Sequence, residues 1–319
     1  MLRYALSPSA RLSPLFHLRD VDIWRHAVHC WSQQWHQLVC FRVERACPAP
    51  ADRSPMKPRV LIFQHGHYCP PGTLGDHLAA DGIEPKVVEL NRGEAIPDLN
   101  CFDILMVMGG TMDVWQEAEN PWLAAEKDAI RRWVGELDRP YLGVCLGHQL
   151  LADALGGRVE PAVKPEVALL QIELSDAGRQ HPLFSGFGTK KRAVQWHGAE
   201  VISLPQDGLV LGSSVDCPIS TFMVGSTAFG VQYHVEATLR SVGAWCEHPD
   251  SSALLERLHG PSAATRLQAD VSAAMPELHS NSRRLYDNFM KIARAQLRHG
   301  ARRACEVDRS VTNGSVKDL

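Results

Sequence analysis

A chain of 319 residues with 45% apolar composition can bury a sizeable core, and one large domain with appendages is the natural expectation. Its formal net charge of -3 and the absence of any basic run give no electrostatic reason to expect a nucleic-acid partner. No apolar stretch approaches the ~20 residues that cross a bilayer, and no long apolar signal core opens the chain. Nine cysteines occur without a Cys-x-x-Cys pair; the odd number argues against a disulfide framework and suits a reducing, cytoplasmic setting.

Residues 1–55 concentrate arginine, tryptophan and histidine, end in a proline-rich stretch (Cys47-Pro48-Ala49-Pro50) and show no strand-helix alternation. They read as a poorly ordered extension or as sequence ahead of a true start at Met56. A transit peptide fits their arginines but not Asp20, Asp22 and Glu44. From Met56 the pattern alternates. Strands are expected at 59–63, 85–90, 103–108 and 141–144, helices at 73–81 and 121–137, shorter strands from 167 to 233, and helices to about 297. The prediction is an α/β domain over 56–297: a doubly wound, mainly parallel sheet with helices on both faces and C-terminal helices, followed by a polar, flexible tail at 298–319.

Open α/β sheets bind ligands beyond the carboxyl ends of their strands, and two motifs fall there. The first is Gly143-Val144-Cys145-Leu146-Gly147-His148-Gln149, a cysteine between two glycines where a strand turns sharply into a helix. Such an elbow lifts the sulfur clear of the sheet and sets it at a helix N-terminus, which favours thiolate over thiol. The second is Phe229-Gly230-Val231-Gln232-Tyr233-His234-Val235-Glu236, an apolar run that reads as a buried strand. On an extended backbone His234 and Glu236 share one face, so the carboxylate can hold the imidazole while its other nitrogen meets the thiol. Cys145, His234 and Glu236 would then form a nucleophile-base-acid triad.

These motifs resemble the class I, triad-type glutamine amidotransferases, and in particular stand-alone proteins related to the amidotransferase domain of guanylate synthetase. The resemblance spans about Met56 to Gln296. It includes Met108-Gly109-Gly110-Thr111 after the apolar run Asp103–Val107, Trp196-His197-Gly198, and Asn288-Phe289 in the last helix. It implies a flavodoxin-like sheet and release of ammonia through a γ-glutamyl thioester. Gly109-Gly110 suits an oxyanion hole, with the Gly110 and Leu146 N–H groups as donors. Gly109, Gln149, His197 and Gly198 are candidates for substrate contact, although Gln149 can equally pack the helix start and His197 a loop.

Three departures from the family pattern are visible: Thr111 and Val235 stand where prolines are usual, and Ala199 replaces an acid that often follows His-Gly, with Glu200 one residue later. The last bears on coupling to a synthetase more than on thiol chemistry.

Other patterns are weaker. His65, His67, Cys69 and His77 could bind zinc but lack a paired framework; no metal is expected, and the chemistry calls for no organic cofactor. Gly186-Phe187-Gly188-Thr189-Lys190-Lys191 lacks phosphate-loop spacing and reads as a turn. Trp115, Trp122 and Trp133 read as packing residues, with Trp115 a candidate to overhang the pocket. The expected activity is hydrolysis of a γ-glutamyl amide, with a small-molecule γ-glutamyl substrate as partner. Two rivals are a glutaminase subunit feeding a separate ATP-dependent synthetase and a thiol sensor or binding module that has lost catalysis. The intact His234-x-Glu236 pair disfavours the sensor.

Overall fold

The computed structural model describes residues 57–314, with side chains to His299; the extension at 1–55 and the last five residues of the tail lie outside the described residues. The apolar runs form the strands they suggest. The chain proceeds through β1 (Val60–Gln64), α1 (Gly72–Ala80), β2 (Lys86–Glu89), β3 (Ile104–Val107), α2 (Trp122–Arg131), β4 (Tyr141–Val144) and α3 (Leu146–Ala154). Then come β5 (Arg158–Leu174), α4 (Asp176–Gln180), β6 (Lys190–Ser203), β7 (Gly208–Ser213), β8 (Thr221–Val224) and β9 (Ala228–Val231). Three further helices complete it: α5 (Leu239–Glu247), α6 (Pro249–His259) and α7 (Ala263–Gly314). The helix α7 continues past the boundary expected at Arg298.

One sheet holds the described strands in the order β2-β1-β3-β4-β9-β8-β7-β5-β6. The first five are parallel, as expected, and the rest are antiparallel. Two of the later strands are long rather than short: β5 has 17 residues and β6 has 14. The central strands are buried along their whole length, which is why their sequences are continuous apolar runs rather than alternating ones.

The two faces are nevertheless sorted with period two. Val60 and Ile62 pack with Leu74 and Leu78 of α1 and Phe289 of α7, whereas Leu61 and Phe63 pack with Leu123 and Ile130 of α2 and Leu150 of α3. Helices therefore cover both faces. Asn288 of α7 donates to the Leu183 and Ser185 carbonyls at 3.0 and 2.9 Å, which ties α7 to the turn before β6.

Register places the site. Phe63 pairs with Val107, Val107 with Gly143, and Val144 with Val231, so the carboxyl ends of β1, β3, β4 and β9 lie side by side. His65, Gly109-Gly110, Cys145 and the segment after Val231 thus emerge on one edge.

Lys191, at the start of β6, has its ammonium group buried 3.9, 4.8 and 4.9 Å from the ring centres of Phe184, Phe187 and Tyr233. Its Nζ has no hydrogen-bond partner among the described residues, and burial holds its pKa well below the ordinary lysine value. Because the folded value is depressed, the unfolded chain binds more protons. Stability should therefore rise with pH toward the lysine value of about 10.4. Lys191→Met should raise stability at pH 7 by about 1–3 kcal/mol and flatten that rise. Urea unfolding at several pH values checks this; a lowered midpoint would show that the rings stabilise an ammonium.

Candidate active site

Cys145 ends β4 and precedes α3 with φ 52° and ψ -105°, a left-handed conformation that side chains rarely adopt. The flanking glycines are needed for a different reason, close backbone approach. A Cβ on Gly143 would lie 2.3 Å from the Gly147 carbonyl oxygen, and one on Gly147 would lie 2.2 Å from that of Val107. The turn is held by Cys145 N–H donating to Val231 O at 2.9 Å and Gly147 N–H donating to Met108 O at 3.2 Å. The elbow is therefore wedged between β3 and β9.

The His234 segment differs from the expected strand. β9 stops at Val231, whose carbonyl is taken by Cys145; the chain bends at Gln232-Tyr233 and touches β6 only where His234 N–H donates to Val194 O at 2.8 Å. Val235 and Glu236 lie in a turn. The pairing inferred from extended spacing nevertheless forms: His234 Nδ1 is 2.8 Å from Glu236 Oε1, with both residues buried. The opposite side of the ring is hydrogen-bonded to Cys145. Burial lowers the His234 pKa, but the charge of Glu236 and the sulfur of Cys145 outweigh it and hold the imidazole well above 6.5. The Cys145 sulfur also lies 3.7 Å from the Trp196 carbonyl.

A cleft with about 670 Å³ of empty volume, including its open mouth, reaches Cys145 and His234. Gly110, Gln149, His197 and Gly198 line it. Leu146 and Gly109 lie just behind, where a Cβ on Gly109 would be 3.2 Å from His234 Cε1. Gln149 donates to Ala199 O at 3.0 Å and to Gln232 Oε1 at 3.1 Å, so its amide nitrogen braces α3 against β6 and the bend.

Both ring nitrogens of His197 are engaged by the protein. Nδ1 lies 3.0 Å from Ala199 O, and Nε2 lies 3.2 Å from Glu166 Oε2. Glu166 also accepts from Ser214 Oγ and the Asp216 N–H. Burial pushes the Glu166 carboxyl up, but those hydrogen bonds outweigh it and hold its pKa below the usual range.

Sequence reading passed over several residues brought here by the fold. Trp245 of α5 lies against His234 with ring centres 4.4 Å apart and donates to Tyr68 O at 2.8 Å. Asp250, Ser251 and Leu254 of α6 form one wall of the cleft. Glu166 had no signal beyond its place opposite His197 in the β5–β6 ladder, which pairing alone reveals. The zinc candidates separate: His65 is buried against Glu126, His77 lies 3.2 Å from Ser282 Oγ, and His67 is exposed. Trp115 is 45% exposed and outside the cleft lining, while Trp133 is buried and donates to Pro140 O.

The arrangement can hold a thiol beside an imidazolium whose far nitrogen is fixed by a carboxylate. Gly147→Ala should cost about 2–3 kcal/mol, because its Cβ would enter the Val107 carbonyl and β3 would have to move. Denaturant melts measure that loss, and wild-type stability would show that the junction yields easily.

The model of the family "Glutamine amidotransferase class-I" matches residues 73–245. A glutamine amidotransferase-like protein, YfeJ, of Salmonella typhimurium is 33% identical over 160 residues, covering 49% of this chain and 66% of that protein. The glutamine-hydrolysing subunit of the GMP synthase of Sulfurisphaera tokodaii is 34% identical over 183 residues, covering 56% of this chain and 88% of that one. Among solved structures, a glutamine amidotransferase from Thermotoga maritima superposes with a TM-score of 0.65. It shares 23% identity and covers 73% of this chain and 98% of that chain, a likeness of fold alone.

Proposed function

Since this chain belongs to the class I glutamine amidotransferase family, we propose that it hydrolyses a γ-glutamyl amide through a thioester on Cys145. The observation that carries this reading is the 2.8 Å contact between His234 and Glu236 beside a cysteine in a strained elbow. The Cys145 sulfur attacks the γ-carbonyl carbon, forming the C–S bond while the oxygen takes the negative charge. The Gly110 and Leu146 N–H groups stabilise that oxyanion. His234 gives its proton to the leaving nitrogen as the C–N bond breaks. It then takes a proton from the water that adds to the thioester, and loss of the C–S bond returns the thiolate. Glu236 keeps the imidazole in one orientation and stabilises its charged form.

A second reading is favoured by the likeness to a GMP synthase component: the same chemistry feeding ammonia to a separate synthetase. The sequence favours water as acceptor, since Ala199 stands where coupled relatives often carry an acid. Here Ala199 is buried, and its carbonyl receives both Gln149 and His197. The experiment is ammonia release from glutamine and from γ-glutamyl peptides by the purified chain alone. Activity without nucleotide or second chain supports the hydrolase; activity only with a co-purifying synthetase and ATP supports the ammonia-delivering role.

Cys145→Ala should lower turnover by on the order of 10⁴ or more with the fold retained. Wild-type-like ammonia release by that variant would end the thioester reading. The pH profile offers a second test. The pKa of His234 is raised above 6.5, so the proton needed by the leaving group is present through neutrality and lost only as pH rises through the raised value. The Glu236 charge is the first-ranked influence raising it. Glu236→Gln should therefore move the basic limb of kcat/KM to lower pH while retaining some activity, whereas His234→Ala should be nearly inactive. An unmoved limb would assign it to another group.

A further inference from the structure

His65 follows β1 directly, and the β1–β3 register brings it level with Gly109. It is 1% exposed, with Nδ1 3.0 Å from the Gly109 carbonyl oxygen and Nε2 2.9 Å from Oε1 of Glu126, a fully buried residue of α2. A carbonyl only accepts, so Nδ1 carries a hydrogen and donates it. A single proton then occupies the gap between Nε2 and Glu126. Whichever of the two atoms holds it, Nδ1 remains a donor and the pair is neutral overall, as a buried pair requires. The ring is clamped further by Trp122, stacked at 5.3 Å and 13°.

The consequence falls on the next peptide. In a trans peptide the carbonyl of Gly109 and the N–H of Gly110 point in opposite directions. No cis bond occurs among the described residues. Holding the oxygen toward His65 therefore turns the Gly110 N–H away from it, to the side on which Gly110 lines the cleft with Cys145. Two successive glycines offer no side chain to resist rotation of that peptide. We infer that His65, backed by Glu126, is a positioning residue that fixes the Gly110 N–H toward the oxyanion. This rests on the hydrolase chemistry proposed above, and it accounts for a buried histidine-glutamate pair that the triad does not use.

The test compares His65→Leu with His65→Asn in the full chain. An asparagine amide nitrogen can stand where Nδ1 stood and still donate to Gly109. His65→Leu should lower kcat by on the order of 10²–10³, the loss expected when one oxyanion donor is misaligned. KM should change by less than about threefold, and His65→Asn should keep kcat within about tenfold of wild type.

Two probes separate positioning from general damage. A γ-glutamyl aldehyde, which forms a tetrahedral adduct with the thiol, should lose affinity in His65→Leu in parallel with kcat. Alkylation of Cys145 by iodoacetamide generates no oxyanion and should keep its wild-type rate. Wild-type kcat in His65→Leu, or equal losses in alkylation and aldehyde binding, would overturn the inference. If His65→Leu does not fold, His65→Asn decides. Retained turnover and aldehyde affinity support the role, and a kcat loss matched by slower alkylation refutes it. Cys145→Ala run alongside keeps the two ideas apart. Turnover that survives it sinks the hydrolase reading, whereas turnover lost there but kept in His65→Leu sinks only the role of His65.

Discussion

Backbone contact at the end of β4 constrains everything around it. The chain must leave a strand buried between β3 and β9 and enter α3 within one residue, which drives Cys145 to φ 52°. That strain is tolerated because the surroundings over-determine it. Gly143 and Gly147 let three backbones meet at distances no side chain permits, and the N–H groups of Cys145 and Gly147 bond outward to β9 and to the end of β3. The sulfur position is thus a property of three strands at once. A lone loop could not hold it.

Burial then decides which polar groups are usable. Three histidines at this edge share one arrangement, a ring nitrogen on a buried glutamate: His65 with Glu126, His197 with Glu166 and His234 with Glu236. Their second nitrogens differ. Those of His65 and His197 meet the main-chain carbonyls of Gly109 and Ala199, so these rings brace backbone. That of His234 faces a thiol, a partner able to exchange a proton. The same pairing therefore yields two braces and one acid-base group, and the difference lies wholly in what stands opposite the glutamate.

The departures from the family pattern read as local accommodations. Thr111 sends its hydroxyl to Tyr68 at 3.0 Å, linking the oxyanion loop to the wall that Tyr68, Trp245 and His248 build. Val235 sits in the turn between His234 and Glu236, and its carbonyl accepts from Thr73 Oγ1 at 3.3 Å, which ties that turn to α1. Ala199 contributes only its carbonyl. None of the three removes a group from the thiol-imidazole-carboxylate set.

What the sequence determined by itself is what short-range pattern encodes. Apolar runs ending in glycine fixed the parallel strands to within a residue or so at Val60, Lys86, Ile104 and Tyr141, and the paired glycines marked the elbow because they answer a local steric need. The His-x-Glu spacing identified the right pair for a partly wrong reason: both residues lie in a bend after β9, and the contact survives because a turn also brings residues two apart together. Tertiary structure alone decided the rest. The long antiparallel β5 and β6, the bracing of His197 by Glu166, the stacking of Trp245 on His234 and the attachment of His65 to Glu126 all join residues tens of positions apart. Such contacts arise from strand register and helix packing, and no local spacing records them.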